Sequence, residues 1–79
     1  SYQEFLRRYP SDPLREEATS DLLAVQNLLA QKEFQIASFY SRQGKTVAAR
    51  ARLEQLVLHY PKTMTAQEAQ RILEEMRKP

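Results

Sequence analysis

Between Pro13 and Gly44 the apolar residues Leu14, Ala18, Leu22, Val25, Leu29, Ile36 and Tyr40 keep mostly to a three- or four-residue spacing, the period of one face of a helix. Leu23, Leu28, Ala30, Phe34 and Phe39 fall beside that stripe and widen it, and the pattern breaks only at Lys32-Glu33. No proline or glycine interrupts the run. The pattern therefore predicts one helix over 13–43, about 30 residues and roughly 45 Å long. Two helices bent near Asn27 or Lys32 are the alternative. A stripe this wide on a helix this long needs partners on more than one side.

The pattern resumes after Gly44, the only glycine, with Val47, Ala48, Ala51, Leu53, Leu56 and Val57, and stops at Tyr60-Pro61. Glycine tolerates the left-handed backbone that closes a helix, so a tight turn at Gly44 should join the long helix to one at 46–59 running back along it. Val47, Leu53, Leu56 and Val57 should mark the buried side of that second helix. Beyond Pro61, Thr63 and Thr65 are both N-cap candidates, and Thr65 with Glu68 matches a capping box. A last helix at 65–78 would bury Ala69, Ile72, Leu73 and Met76, with Glu74 and Lys78 paired at i,i+4. At the other end, Tyr2, Phe5, Leu6 and Tyr9 share one side of a short helix at 2–9, with Glu4 and Arg8 paired along it. Pro10 stops that helix, and Asp12-Pro13 restarts the chain as cap and first helical residue, with Glu16 and Glu17 in the first turn. The expected fold is an all-α array of antiparallel helical hairpins.

Seventy-nine residues make at most one small domain, with a stability that depends on good helix packing. The absence of cysteine excludes a disulfide, a thiolate metal site and a cysteine nucleophile. Twelve basic against ten acidic residues give a net charge of +2, a near-balance that does not point to nucleic acid. No run approaches the ~18 apolar residues of a membrane span, and no signal peptide is visible. The opening Ser1-Tyr-Gln-Glu-Phe-Leu is already amphipathic and reads as the middle of a longer protein. Leu23, Leu28 and Phe39 lie off the main stripe without evident cover, so self-association of the chain is a further expectation.

The chain repeats itself. Tyr9-Pro-Ser-Asp-Pro-Leu-Arg-Glu-Glu-Ala18 aligns with Tyr60-Pro-Lys-Thr-Met-Thr-Ala-Gln-Glu-Ala69 at an offset of 51 residues, and Tyr2, Phe5 and Leu6 fall on Leu53, Leu56 and Val57. That offset is about one and a half times 34, the tetratricopeptide (TPR) period, as if two helices had fused into the long one. Ala37, Tyr40, Gly44, Ala49, Leu53 and Pro61 resemble the small, aromatic, turn, small, large and proline positions of a TPR hairpin. Two positions depart from that pattern. Glu33 stands where a large apolar residue is usual, and Leu56 where a small one is. The resemblance implies a TPR-like solenoid with one long fused helix.

A closer resemblance runs through Phe5-Leu-Arg-Arg-Tyr-Pro10, Leu29-Ala-Gln-Lys-Glu-Phe-Gln-Ile-Ala-Ser-Phe-Tyr40, Gly44, Val47-Ala48, Arg52 and Tyr60-Pro61. These segments look like the BamD (YfiO) family of outer-membrane assembly lipoproteins, in its later repeats. The resemblance implies a periplasmic scaffold for β-barrel assembly. Its anchor would be a lipid on a cysteine outside this segment, and its partners the POTRA domains of the barrel-forming BamA subunit and other subunits of the machine. Alternatives are another periplasmic TPR protein of the CpoB kind, or an accessory helical domain of an enzyme or regulator.

Catalytic chemistry finds little support. His59, the only histidine, sits at a helix end where the dipole favours a cation. Glu16/Glu17 and Glu74/Glu75 are adjacent in sequence, so they diverge around a helix instead of sharing a proton. No phosphate loop, Ser/His/Asp set or metal-ligand spacing is present, and no cofactor is expected. Arg42, Lys45, Arg50 and Arg52 gather around the Gly44 turn as a solvated face or as a docking surface for an acidic protein partner. Few aromatics interleave with them, which argues against nucleic acid. Arg52, about 100° around the helix from Leu53, should stand at the edge of the buried side, either meeting a partner's carboxylate or forming an ion pair between helices. In the BamD-like reading it matches an arginine on the region that meets BamA.

Overall fold

The computed structural model describes Gln3 and residues 13–79, and side chains in the long helix from Ala18 onward. The expected helix at 2–9, the Glu4–Arg8 pair, the stop at Pro10 and the Asp12 cap lie outside the described residues. Three helices follow: α1 (Pro13–Arg42), α2 (Thr46–His59) and α3 (Met64–Arg77). The fold is all-α, with no strand among the described residues. Helix α1 is continuous through Asn27–Lys32, because nothing there removes a backbone donor or favours a bend.

The α1–α2 turn is closed by the backbone. Gly44 has φ +77°, its N–H donates to the Ser41 carbonyl at 3.0 Å, and the Lys45 N–H reaches the Tyr40 carbonyl at 2.9 Å. This nested pair satisfies the Tyr40 and Ser41 carbonyls in the last turn of α1 and requires one left-handed residue. A Cβ on Gly44 would meet nothing within 4 Å, so the demand for glycine comes from the backbone and not from crowding.

Short side chains build the core. Ala30 and Ala37 of α1 meet Leu53 and Leu56 of α2 and Ala66 and Ala69 of α3, with Phe34, Val57, Tyr60, Ile72, Leu73 and Met76 packed around them. Alanines at the contacts let helix backbones approach closely. The α1–α2 contact is the largest, α2–α3 is next, and α1 meets α3 least.

The buried positions differ from the expected stripe in two places. Ala30 is fully buried while Leu29 is 43% exposed, and Val25 is exposed as well. On α2, Ala49 is buried and Val47 is 78% exposed. Nine residues separate Val47 from Leu56, which is half a turn around a helix, whereas Ala49 shares the Leu56 side. Size pointed to Val47; helical angle selects Ala49.

Thr63, not Thr65, caps α3. Its hydroxyl accepts the Ala66 N–H at 3.0 Å and donates to the Tyr60 carbonyl at 2.8 Å. Thr63 is 2% exposed, so one buried hydroxyl satisfies both ends of the α2–α3 corner. Thr65 lies inside the helix, and Glu68, its expected partner, binds Arg71 instead. The expected Glu74–Lys78 pair is also replaced. Glu74 faces Arg77 at 3.6 Å and Lys78 reaches Glu75 at 3.3 Å, because Lys78 has left helical geometry at the C-cap.

Candidate functional site

The basic residues near the turn divide between different sides of the array. Arg52 leaves α2 toward α1 and meets Glu33, with Nη1 at 3.2 Å from Oε2. The two side chains are 42% and 28% exposed, so the pair is partly screened. Glu33 occupies the position where a TPR hairpin usually carries a large apolar residue. Here a charge-assisted bond between α1 and α2 takes the place of that apolar contact.

Two residues before Arg52, Arg50 points about 200° away. It borders a groove of about 410 Å³ between α2 and α3, with Glu54, Leu73, Met76 and Arg77. Arg42 and Lys45 are exposed on either side of Gly44. Lys45 is the N-cap of α2, which has no side-chain cap bond and no acid in its first turn. Arg42, Lys45 and Arg50 make no salt bridge among the described residues. Around Met76, Arg42 and Arg50 border neighbouring hollows, while Arg52 is engaged elsewhere.

The hollow that Arg42 borders was not anticipated from the sequence. It is a wedge of about 290 Å³ enclosed between all three helices. Ala37, Ala49 and Leu53 line its inner part, Phe34, Ile72 and Met76 form apolar walls, and Ser38, Ser41 and Arg42 lie at its polar margin. Each helix contributes residues one turn apart: Phe34 and Ser38, Ala49 and Leu53, Ile72 and Met76. Those i,i+4 pairs are visible in the sequence, but the packing that brings the three helices around one hollow is not. A shallower groove between α1 and α3 is lined by Gln31, Phe34, Gln35, Thr65 and Glu68. Glu68 accepts a two-pronged bond from Arg71, Nη2 to Oε1 at 2.6 Å and Nε to Oε2 at 3.1 Å. That bond, opposed by slight desolvation and aided by the Arg71 charge, holds the Glu68 carboxyl below its usual range.

His59 packs edge-on against Tyr60, ring centroids 6.2 Å apart. Among the described residues no three His, Cys, Asp or Glu side chains converge as a metal site would require, and no helix is long and apolar enough to cross a membrane. What the surface offers is grooves between helices, a divided set of cations, and the exposed apolar side chains of Leu23, Leu28 and Phe39.

Comparison with known proteins covers this whole array. The outer membrane lipoprotein (YfiO) family matches residues 1–78. Outer membrane protein assembly factor BamD of Vibrio cholerae is 34% identical over 68 residues, 86% of this chain and 28% of that protein. The Haemophilus influenzae factor of the same name is 27% identical over 75 residues, 95% of this chain and 29% of its own length. The Neisseria meningitidis serogroup A factor is 26% identical over 74 residues, 94% of this chain and 28% of that protein. The chain thus spans under a third of the length of the relatives it matches. With the match running through all three helices, the chain belongs to the YfiO family of outer membrane lipoproteins.

Proposed function

We propose that this chain is a non-enzymatic part of a protein-interaction scaffold that serves β-barrel assembly at the periplasmic face of the bacterial outer membrane. The observation that carries this reading is the extent of the family match, which covers the same residues that build the three-helix array. The named relatives are outer membrane protein assembly factors, which favours this reading over a CpoB-like envelope protein or an accessory domain of an enzyme. Membrane attachment would run through a lipid outside these residues, since the chain contains no cysteine. The partner is a POTRA-like domain of the barrel-forming subunit, docking acidic groups against Arg42 and Lys45 beside the Gly44 turn and against Arg52, while Arg50 faces the other side of α2. Leu23, Leu28 and Phe39 offer a separate apolar surface through which the chain self-associates at high concentration.

Arg52 needs a test that separates docking from packing, because its guanidinium already holds Glu33. In the longer protein, Arg52→Glu should weaken capture of the POTRA domain at least tenfold, about 1.4 kcal/mol. The swap Glu33→Arg with Arg52→Glu restores the bond between α1 and α2 with its polarity reversed. Melting temperature should recover in the swap while capture stays weak. If capture recovers along with melting temperature, Arg52 only joins helices and has no docking role.

A further inference from the structure

The wedge between the three helices differs from the other grooves in how it is built. Its depth comes from residue size: Ala37 and Ala49 are both nearly fully buried, and larger side chains there would fill it. Its walls are unfinished, since Phe34, Ile72 and Met76 are only partly covered by the fold. Its polarity lies toward one end of α1, at Ser38, Ser41 and Arg42, and no carboxylate lines it. At about 290 Å³ it falls just below the usual range for a small-molecule or cofactor pocket, but it admits one large apolar side chain.

Arg42 supplies the charge argument. Arg52, Arg71 and Arg77 each hold a glutamate of this chain, whereas Arg42 makes no salt bridge among the described residues. An exposed guanidinium at the edge of an apolar hollow complements a carboxylate next to an apolar group, and its planar fork can bind both carboxylate oxygens. We infer that the wedge receives one large apolar side chain of a partner polypeptide while Arg42 binds a carboxylate adjacent to it. The inference rests on the scaffold reading only for where that side chain comes from; the wedge itself can be tested on this chain alone.

The probes are N-acetyl-leucinate and N-acetyl-leucinamide, which share a side chain and differ in the carboxylate. Both are titrated into the isotope-labelled 79-residue chain by NMR, with the Ile72 and Met76 methyl groups and the Arg42 Nε–H as reporters. The carboxylate should give saturable shifts at those groups and bind at least threefold tighter than the amide. Arg42→Gln should abolish that preference. Ser38→Leu keeps a good helix former and fills the wedge from its margin, so it should remove binding of both probes without lowering the melting temperature. Absence of saturable shifts at Ile72 and Met76, equal binding of the two probes, or a preference that survives Arg42→Gln overturns the inference. Loss of the POTRA interaction in every form of the longer protein, with probe binding intact, would instead sink the scaffold reading and leave the wedge standing.

Discussion

The amino-terminal half of α1 and the three-helix unit that follows it use apolar residues in opposite ways. Residues 22–29 carry Leu22, Leu23, Val25, Leu28 and Leu29, yet Leu28 is 67% exposed and Leu23, Val25 and Leu29 are exposed too. From residue 30 onward the fully or nearly buried positions are mostly alanines, joined by Leu53, Leu56 and Thr63. Apolar content therefore does not locate the core of this protein. The core forms where short side chains let two helices meet, and the leucine-rich stretch remains available to other surfaces.

The comparison breaks most visibly at Leu56. Leu56→Ala removes a fully buried side chain from the middle of the array and should cost about 2–5 kcal/mol, enough to unfold much of a small domain. Leu28→Ala, the same substitution in the exposed stretch, should stay within about 0.5 kcal/mol. Urea melts of the pair measure the contrast directly; equal losses would mean that Leu28 is covered in solution.

Next in size is the turn that separates the two uses. Gly44→Val should cost well over about 1 kcal/mol, because a β-branched residue must adopt the left-handed backbone at φ +77°. Since space around Gly44 is open, Gly44→Asn should recover a good part of that loss. A valine variant that melts with the parent would show that the turn can re-form without positive φ.

At the α2–α3 corner, Thr63→Ala strips a buried hydroxyl from the Ala66 N–H and should cost about 1–2 kcal/mol, whereas Thr63→Ser keeps both bonds and should cost less. Thr65→Ala, at the position the capping-box pattern favoured, should be nearly silent. The reverse order in thermal melts would reassign the cap.

These positions show what the chain reveals before it folds. Gly44, Pro61 and the uninterrupted run from Pro13 act through their own backbone, so both helix ends and the unbroken α1 are legible locally. Val47 misleads because its bulk suggests burial while its helical angle turns it outward. Thr65 misleads because a local motif competes with Thr63, whose hydroxyl reaches back to Tyr60 as well as forward to Ala66. The division of Arg50 from Arg52 follows from helical angle alone, but Arg52 finds Glu33 only once α1 and α2 pack together. The wedge is the least legible feature, because it arises from how three helices come together and not from any motif.

The smallest expected effects lie on the exposed face of α3. Arg71 holds the Glu68 carboxyl below its usual range through their hydrogen bond. A lowered folded value means that this pair supports the fold above the carboxylate's ordinary range and ceases to do so as pH falls through the folded value. Arg71→Gln should return the Glu68 titration, followed by side-chain carboxyl NMR, to the ordinary range, with little change in melting temperature at neutral pH. A titration unmoved by Arg71→Gln would assign the lowering to something else.

Hydrogen exchange along α1 tests the contrast most directly, because one continuous helix runs through both regions. Amides of residues 34–41, packed against α2 and α3, should exchange only through global opening and share its free energy with the α2 amides around Leu53 and Leu56. Amides of residues 22–28, equally helical but without that cover, should exchange at least tenfold faster through local opening. Uniform protection from residue 22 to residue 41 would contradict the account, since it would mean that the leucine-rich stretch is held as firmly as the alanine-lined core.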